Sequence, residues 1–368
     1  MNEPKAVPSE SFADRLVNIL NMGAINLAMG IGYRLGLFET LDSLDRPQSA
    51  AIIAEKAGLS RRYTEEWLGV MATGGIIRLS RDGDGAPLFD LPRSHADWLT
   101  RRAGNANLGV YTQEIPTLAA STYHRLCSVF ATGEGIPYSD YPDFHRFMGE
   151  LADAKHRQVL IERFLPSVDS GRIVQRMQQG IRVCDLGCSE GVALLIMAQG
   201  YPASTFVGMD ISEQALSEAR REASRLGLSN VSFVKIDAAT LAENAACGES
   251  FDYVTAFDAI HDQRRPLAAL RGVRHILKKS GVFSMVDIAA ETDVAENMNH
   301  PMAPFLYTVS LMHCLPVGLA DNGRGLGMMW GRKKALEMLH QAGFDDVSVV
   351  NIPEDAFNFH FFCRKCGI

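Results

Sequence analysis

Short apolar runs recur along the second half of the chain. The first four cover 181–186, 205–209, 231–236 and 251–257, and each gives way to glycine or acidic residues. Runs this short predict strands, since buried helices need about 10–12 residues or more. Helical stretches fill the gaps. Val192-Ala193-Leu194-Leu195-Ile196-Met197 follows the first run, an amphipathic stretch over 266–279 closes on Ser280-Gly281, and a last one covers 333–342. Further runs at 282–287, 347–350 and 357–362 complete the set. Strand and helix in alternation predict an α/β fold, here a seven-stranded sheet with an antiparallel end.

The first half is patterned differently. Residues 1–10 read as a loose polar tail. Ser11 is placed to cap a helix through Phe12, Leu16, Ile19, Leu20 and Ile25, with Leu27, Ala28, Ile31 and Leu35 continuing on a second helix. Apolar positions are too frequent there for one buried stripe, which predicts a homodimer contact. Residues 50–71 read as helix, glycine turn, Ser60 cap and second helix. Residues 74–79 and 87–91 read as a hairpin around Asp82-Gly83-Asp84-Gly85. Together they predict a winged helix. Its second helix carries Arg61 and Arg62 but also Glu65 and Glu66, which argues against contact with phosphates. The division that results is a winged-helix and dimerisation domain over 1–95, a helical linker and active-site roof over 96–165, and an α/β domain over 166–368.

Composition narrows the function classes. A length of 368 residues fits two or three domains, and 47% hydrophobic with 21% charged residues is globular. The net charge of -7 gives no electrostatic case for nucleic acid or acidic lipid. No basic stretch precedes an apolar core at the N-terminus, and no apolar run reads as long enough to span a bilayer. No membrane is therefore expected, and the cytoplasm is the default location. Seven cysteines, an odd and scattered set, fit reduced thiols. Cys363-x-x-Cys366 has no second pair nearby, so no metal is expected.

Candidate chemistry begins at Ile181-Arg182-Val183-Cys184-Asp185-Leu186-Gly187-Cys188-Ser189-Glu190-Gly191. A strand feeding a helix through glycines presents backbone N–H groups to a ligand at the carboxyl edge of a sheet. The spacing is not G-x-G-x-x-G, and Asp185 at the strand tip would repel a pyrophosphate. A ligand with cationic groups and no phosphate suits it, and S-adenosylmethionine has both an ammonium and a sulfonium. Asp210, 23 residues after Gly187, can accept from ribose hydroxyls. Asp237-Ala238 ends the third run, where it can meet the adenine amine, and Asp258-Ala259-Ile260-His261-Asp262 follows the fourth.

On these residues, 181–288 resembles a class I S-adenosylmethionine-dependent methyltransferase, with Ser189 replacing a middle glycine. The whole layout resembles a bacterial-type family that fuses a winged helix to this domain. Its marks are Glu66-Trp67-Leu68, Asp258-Ala259-Ile260-His261-Asp262, His313-Cys314 and Met329-Trp330-Gly331. The resemblance implies a Rossmann-like sheet and S-adenosylmethionine held by Asp185, Gly187, Cys188, Ser189, Gly191, Asp210, Ile211, Asp237, Ala238, Phe257 and Asp258. It implies a winged helix used for dimerisation and for covering substrate. It also makes Phe144 and Met148 substrate-pocket candidates. The insertion 289–331 should lie over the methyl donor as a lid, so Met302, Tyr307, Cys314 and Trp330 join them.

Methyl transfer to a hydroxyl needs the acceptor aligned and its proton removed. His261, after the fourth strand and before Asp262, is the first candidate base, and His313 is the rival. Cys314 is a possible thiolate ligand, but arsenic methylation needs several positioned cysteines. The leading expectation is methylation of a small molecule at oxygen. Methylation at nitrogen or carbon, action on protein or RNA, and a winged-helix DNA-binding regulator with a vestigial cofactor domain are the alternatives.

Overall fold

The computed structural model describes residues 11–142, 144–352 and 355–365. The expected tail over 1–10 and Cys366 of the C-x-x-C pair lie outside the described residues. Two compact units divide the chain, Met1–Pro116 and Thr117–Ile368.

The first unit opens with a single helix, Phe12–Arg34, in place of the two expected. Ser11 caps it, its Oγ accepting the Asp14 N–H at 3.2 Å. Gly23 and Asn26 lie near the expected break, and a long helix tolerates such residues at about 1 kcal/mol or less each. Its C-terminal end is anchored by Trp67, whose Nε1 donates to the Ala28 carbonyl at 2.8 Å. The Trp67 ring lies so close that a Cβ at Gly32 would stand 2.3 Å from it, so only glycine fits there. Phe12, Leu16, Val17, Ile19, Leu20, Met22, Leu27 and Ile31 remain exposed on this helix. Helices Ala50–Ala57 and Arg61–Thr73 follow, then a wing of β1 (Arg78–Arg81) paired antiparallel with β2 (Pro87–Asp90). The wing turn is held by the Asp82 carboxylate, which accepts the N–H groups of Asp84 and Ala86.

In the second unit, β3 (Arg182–Leu186), β4 (Thr205–Asp210), β5 (Val231–Lys235), β6 (Phe251–Phe257), β7 (Leu277–Ile288), β8 (Asp346–Ile352) and β9 (Asp355–Arg364) form one sheet. Its order is β5-β4-β3-β6-β7-β9-β8. The first five are parallel and β9 runs antiparallel to both β7 and β8. Alternate residues feed two core layers, as the period of two requires. Cys184, Val207, Val254 and Phe283 join one layer, and Val183, Phe206, Tyr253 and Val282 the other. The helix expected to reach 279 ends at Ile276, because Leu277 already pairs with Phe251 as the start of β7.

Two helical stretches, Phe12–Arg34 and Ala303–Asn322, are long and apolar enough by composition to cross a bilayer, contrary to the expectation from the sequence. Of the second, 56% of the apolar window is buried inside the protein, which explains its hydropathy as core packing.

Candidate active site

The carboxyl ends of β3 to β7 converge on one edge of the sheet, and their tips carry two kinds of structure. On the β3–β5 side the acids are engaged by backbone. The Asp210 carboxylate accepts the N–H groups of Ser189 and Ser212, both at 2.8 Å. Asp237 accepts from Ala239 N–H at 2.9 Å and pairs with Arg265 at the same distance. Gly187, Ser189 and Gly191 all take positive φ, +71°, +48° and +74°. The Ser189 hydroxyl is buried without a hydrogen-bond partner, so the loop holds an unused polar group. Ile211, beside Asp210, is 47% exposed and offers an apolar face, while Cys188 and Ala238 are buried beneath. This set fits a nucleoside carrying cationic groups. Asp185 is buried and accepts from the Thr255 hydroxyl at 2.6 Å, and burial pushes its carboxyl up to about 7.

At the tip of β6, Phe257 packs on His156 and Phe164, with centroids 4.7 and 5.6 Å away. Asp258 takes a φ of +50°. Its carboxylate accepts from Lys155 Nζ at 3.0 Å and from Asn358 Nδ2 at 2.8 Å.

Next comes the histidine cluster. His261 is 1% exposed. Its Nδ1 lies 2.7 Å from Asp287 Oδ1 at the end of β7, which leaves Nε2 as the nitrogen that faces Asp262. Asp287 Oδ1 also accepts from Trp330 Nε1 at 3.1 Å and from Ile288 N–H at 2.9 Å. Asp262 Oδ1 faces His261 Nε2 at 3.3 Å, and its Oδ2 stands 3.7 Å from His313 Nδ1. Burial alone would lower the His261 pKa, but the Asp287 and Asp262 charges outweigh it and hold the imidazole well above its usual value.

His313 and Cys314 arrive from the 303–322 stretch, where a π-turn over Ser310–Cys314 widens the helix. Such turns often mark functional sites. His313 is boxed by Phe144, Tyr141 and Tyr138, with centroids 4.0, 4.8 and 5.4 Å away. Burial lowers its pKa to about 4 and keeps it neutral, and burial likewise holds Cys314 as a thiol.

The structure therefore gathers Phe144, Cys314 and Trp330 around His261 and His313. Trp330 reaches the site through Asp287, because Gly331 turns there with φ +76° where a Cβ would stand 2.3 Å from the Glu291 backbone. Met148 is half-buried on the Phe144–Val159 helix. Met302 and Tyr307 pack in a second apolar cluster with Ile288, Leu306 and Met329. Sequence reasoning assigned no role to Asp287, Lys155, Asn358, Tyr138 or Tyr141. Asp287 carried a usable signal, an acid at the tip of an apolar strand, the same one that marked Asp210.

Two family models match the chain, a methyltransferase domain over 177–343 and an Rv2258c-like winged HTH domain over 23–101. A tRNA (guanine-N(7)-)-methyltransferase of Microcystis aeruginosa is 42% identical over 66 residues, 18% of this chain and 31% of that protein. A ubiquinone biosynthesis O-methyltransferase of Cereibacter sphaeroides is 26% identical over 173 residues, 46% of this chain and 62% of that protein. The chain thus spans less than two thirds of these relatives. Human N-acetylserotonin methyltransferase, solved in complex with SAM, superposes with a TM-score of 0.70 at 17% identity, covering 98% of this chain and 100% of that one. At that identity the likeness carries the fold alone.

Proposed function

We propose that this chain, which joins a methyltransferase domain to an Rv2258c-like winged helix-turn-helix domain, methylates a hydroxyl of a small molecule with S-adenosylmethionine as donor. The observation that carries this reading is the buried His261, oriented through Nδ1 by Asp287 with Nε2 turned toward Asp262. When bound, the cofactor supplies an electrophilic methyl group carried on a sulfonium. Asp210 and Asp237 would hold its ribose and adenine, with Ile211, Ala238 and the loop from Asp185 to Gly191 around them, and Phe257 and Asp258 beside it.

The Asp287 and Asp262 charges make His261 a strong base, and in its neutral form Nε2 takes the acceptor's hydroxyl proton as the carbon–oxygen bond forms. Asp287 holds the ring in place and stabilises the imidazolium that results. His313, kept neutral to about pH 4, is the weaker proton acceptor and serves with Phe144 and Tyr138 to orient the substrate. Met148, Met302 and Tyr307 belong to the same pocket in this reading, with 289–331 as its lid. A metabolite extract incubated with labelled methyl donor tests the proposal, with mass spectrometry of the product. A labelled hydroxyl is expected. Label on tRNA, protein or an amine would overturn it.

The domains expected from sequence, 1–95, 96–165 and 166–368, fit this division of labour. The DNA-binding alternative is disfavoured because Arg61 and Arg62 each pair with a glutamate one turn on, Glu65 and Glu66. We assign the exposed apolar residues of Phe12–Arg34 to a homodimer contact, since eight large side chains on one helix make a patch that soluble monomers avoid. Light scattering at micromolar concentration should give twice the 40.3 kDa chain mass, and a monomer would refute it. The six described cysteines are free thiols, which supports a cytoplasmic location.

A further inference from the structure

The sequence shows one cysteine near the pocket, too few for a metal site read from spacing alone. Folding changes the count of donors. His261, Asp262 and Cys314 each bring one ligand atom within 4.8 Å of the others. We propose that these three side chains form a binding site for a zinc-class divalent cation.

The distances fit. Tetrahedral zinc with bonds of about 2.0–2.3 Å sets its donors about 3.3–3.8 Å apart. His261 Nε2 and Asp262 Oδ1 already stand 3.3 Å apart. No hydrogen bond joins them, because Asp262 Oδ1 is buried without a partner. The buried Asp262 oxygen, unpartnered and facing the imidazole, suits a cation that displaces the Nε2 proton and bridges the two groups. Imidazole, carboxylate and thiolate together suit zinc or cobalt and not magnesium or calcium, which prefer oxygen alone. Behind the proposed ligand stands Asp287 on Nδ1, the outer carboxylate that metal-binding histidines regularly engage.

His313 adds a donor at the rim. Its Nδ1 lies 3.7 Å from both Cys314 Sγ and Asp262 Oδ2, and its Nε2 is buried without a partner. Three protein ligands leave one position open, the pattern of zinc sites that exchange a fourth ligand. A metal on Nε2 occupies the lone pair that methyl transfer requires, so metal-loaded protein is the blocked form of the enzyme. That consequence rests on the function proposed above, whereas the metal site itself does not.

Cobalt(II) titrated into tag-free, full-length protein without cofactor tests the site. A thiolate-to-cobalt charge-transfer band saturating at one equivalent is expected. It should vanish in Cys314→Ser and persist in Cys127→Ser, which alters the exposed cysteine. Asp262→Asn, nearly isosteric, guards against a Cys314→Ser variant that does not fold, and should weaken zinc at least tenfold in competition with a chromogenic chelator. Asp287→Asn should weaken it about 10–100-fold. No charge-transfer band at one equivalent, or a band that survives Cys314→Ser, would overturn the proposal.

Discussion

The two sides of the sheet's carboxyl edge are built on different principles. On the β3–β5 side, Asp210 accepts backbone N–H groups from its own loop and from the loop after β3, and Asp237 accepts one from its own loop besides pairing with Arg265. Such acids are fixed by the fold and leave their remaining lone pairs for a ligand. On the β6–β7 side, His261, Asp262, Asp287 and His313 satisfy one another, and Asp262, Asp287 and His313 each keep an atom without a partner. Buried groups that depend on side-chain partners are the ones whose protons and ligands can move. In the proposed function the first side binds and the second reacts.

Substitution at the reacting side should give the largest effect and the cleanest separation. His261→Ala should lower kcat about 10²–10⁴-fold while leaving S-adenosylmethionine affinity within about 1 kcal/mol. The proposed cofactor contacts lie on other strand tips, so turnover and calorimetry should dissociate. A variant that loses affinity at constant kcat would place His261 against the cofactor and collapse the comparison. On the binding side the split should reverse. Asp210→Ala should weaken cofactor binding by about 1.5–3 kcal/mol, the scale of charge-assisted hydrogen bonds lost from ribose and loop. Unchanged affinity in a folded variant would remove Asp210 from the site.

The same contrast explains what could be read in the sequence. The binding side follows from local grammar, a strand, a glycine turn and an acid at the next tip. All five parallel strands and Asp185, Gly187, Asp210 and Asp237 were legible that way. Ser11 as N-cap, the wing hairpin and the histidine after β6 were legible for the same reason. The reacting side is assembled from residues far apart in the chain. Tyr141 donates to the Met312 carbonyl across 171 positions, and Lys155 reaches Asp258 across 103. No spacing rule announces such pairs. The single long N-terminal helix was missed because dense apolar positions blur the helical period, and the end of the Pro266–Ile276 helix because pairing with Phe251 overrides local propensity at Leu277.

Asp185 sharpens the comparison because it breaks it. It sits on the binding side, yet it is buried on a side-chain partner, Thr255, like the reacting groups. Burial raises its carboxyl pKa from 3.8 to about 7. The folded state therefore holds a proton that the unfolded chain releases near pH 4. Stability from this group is complete below about pH 4, declines as pH rises, and is gone once pH passes about 7. Asp185→Asn keeps the acceptor for Thr255 and removes the titration. Any stability gap between cofactor-free variant and wild type should be smallest below about pH 4, and the variant should gain about 1–2 kcal/mol relative to wild type from there to pH 8, after discounting relaxation around a buried charge. Denaturant unfolding at the two pH values measures the difference. A gap that stays constant with pH would mean that Asp185 is ionised throughout, and that it belongs with Asp210 and Asp237.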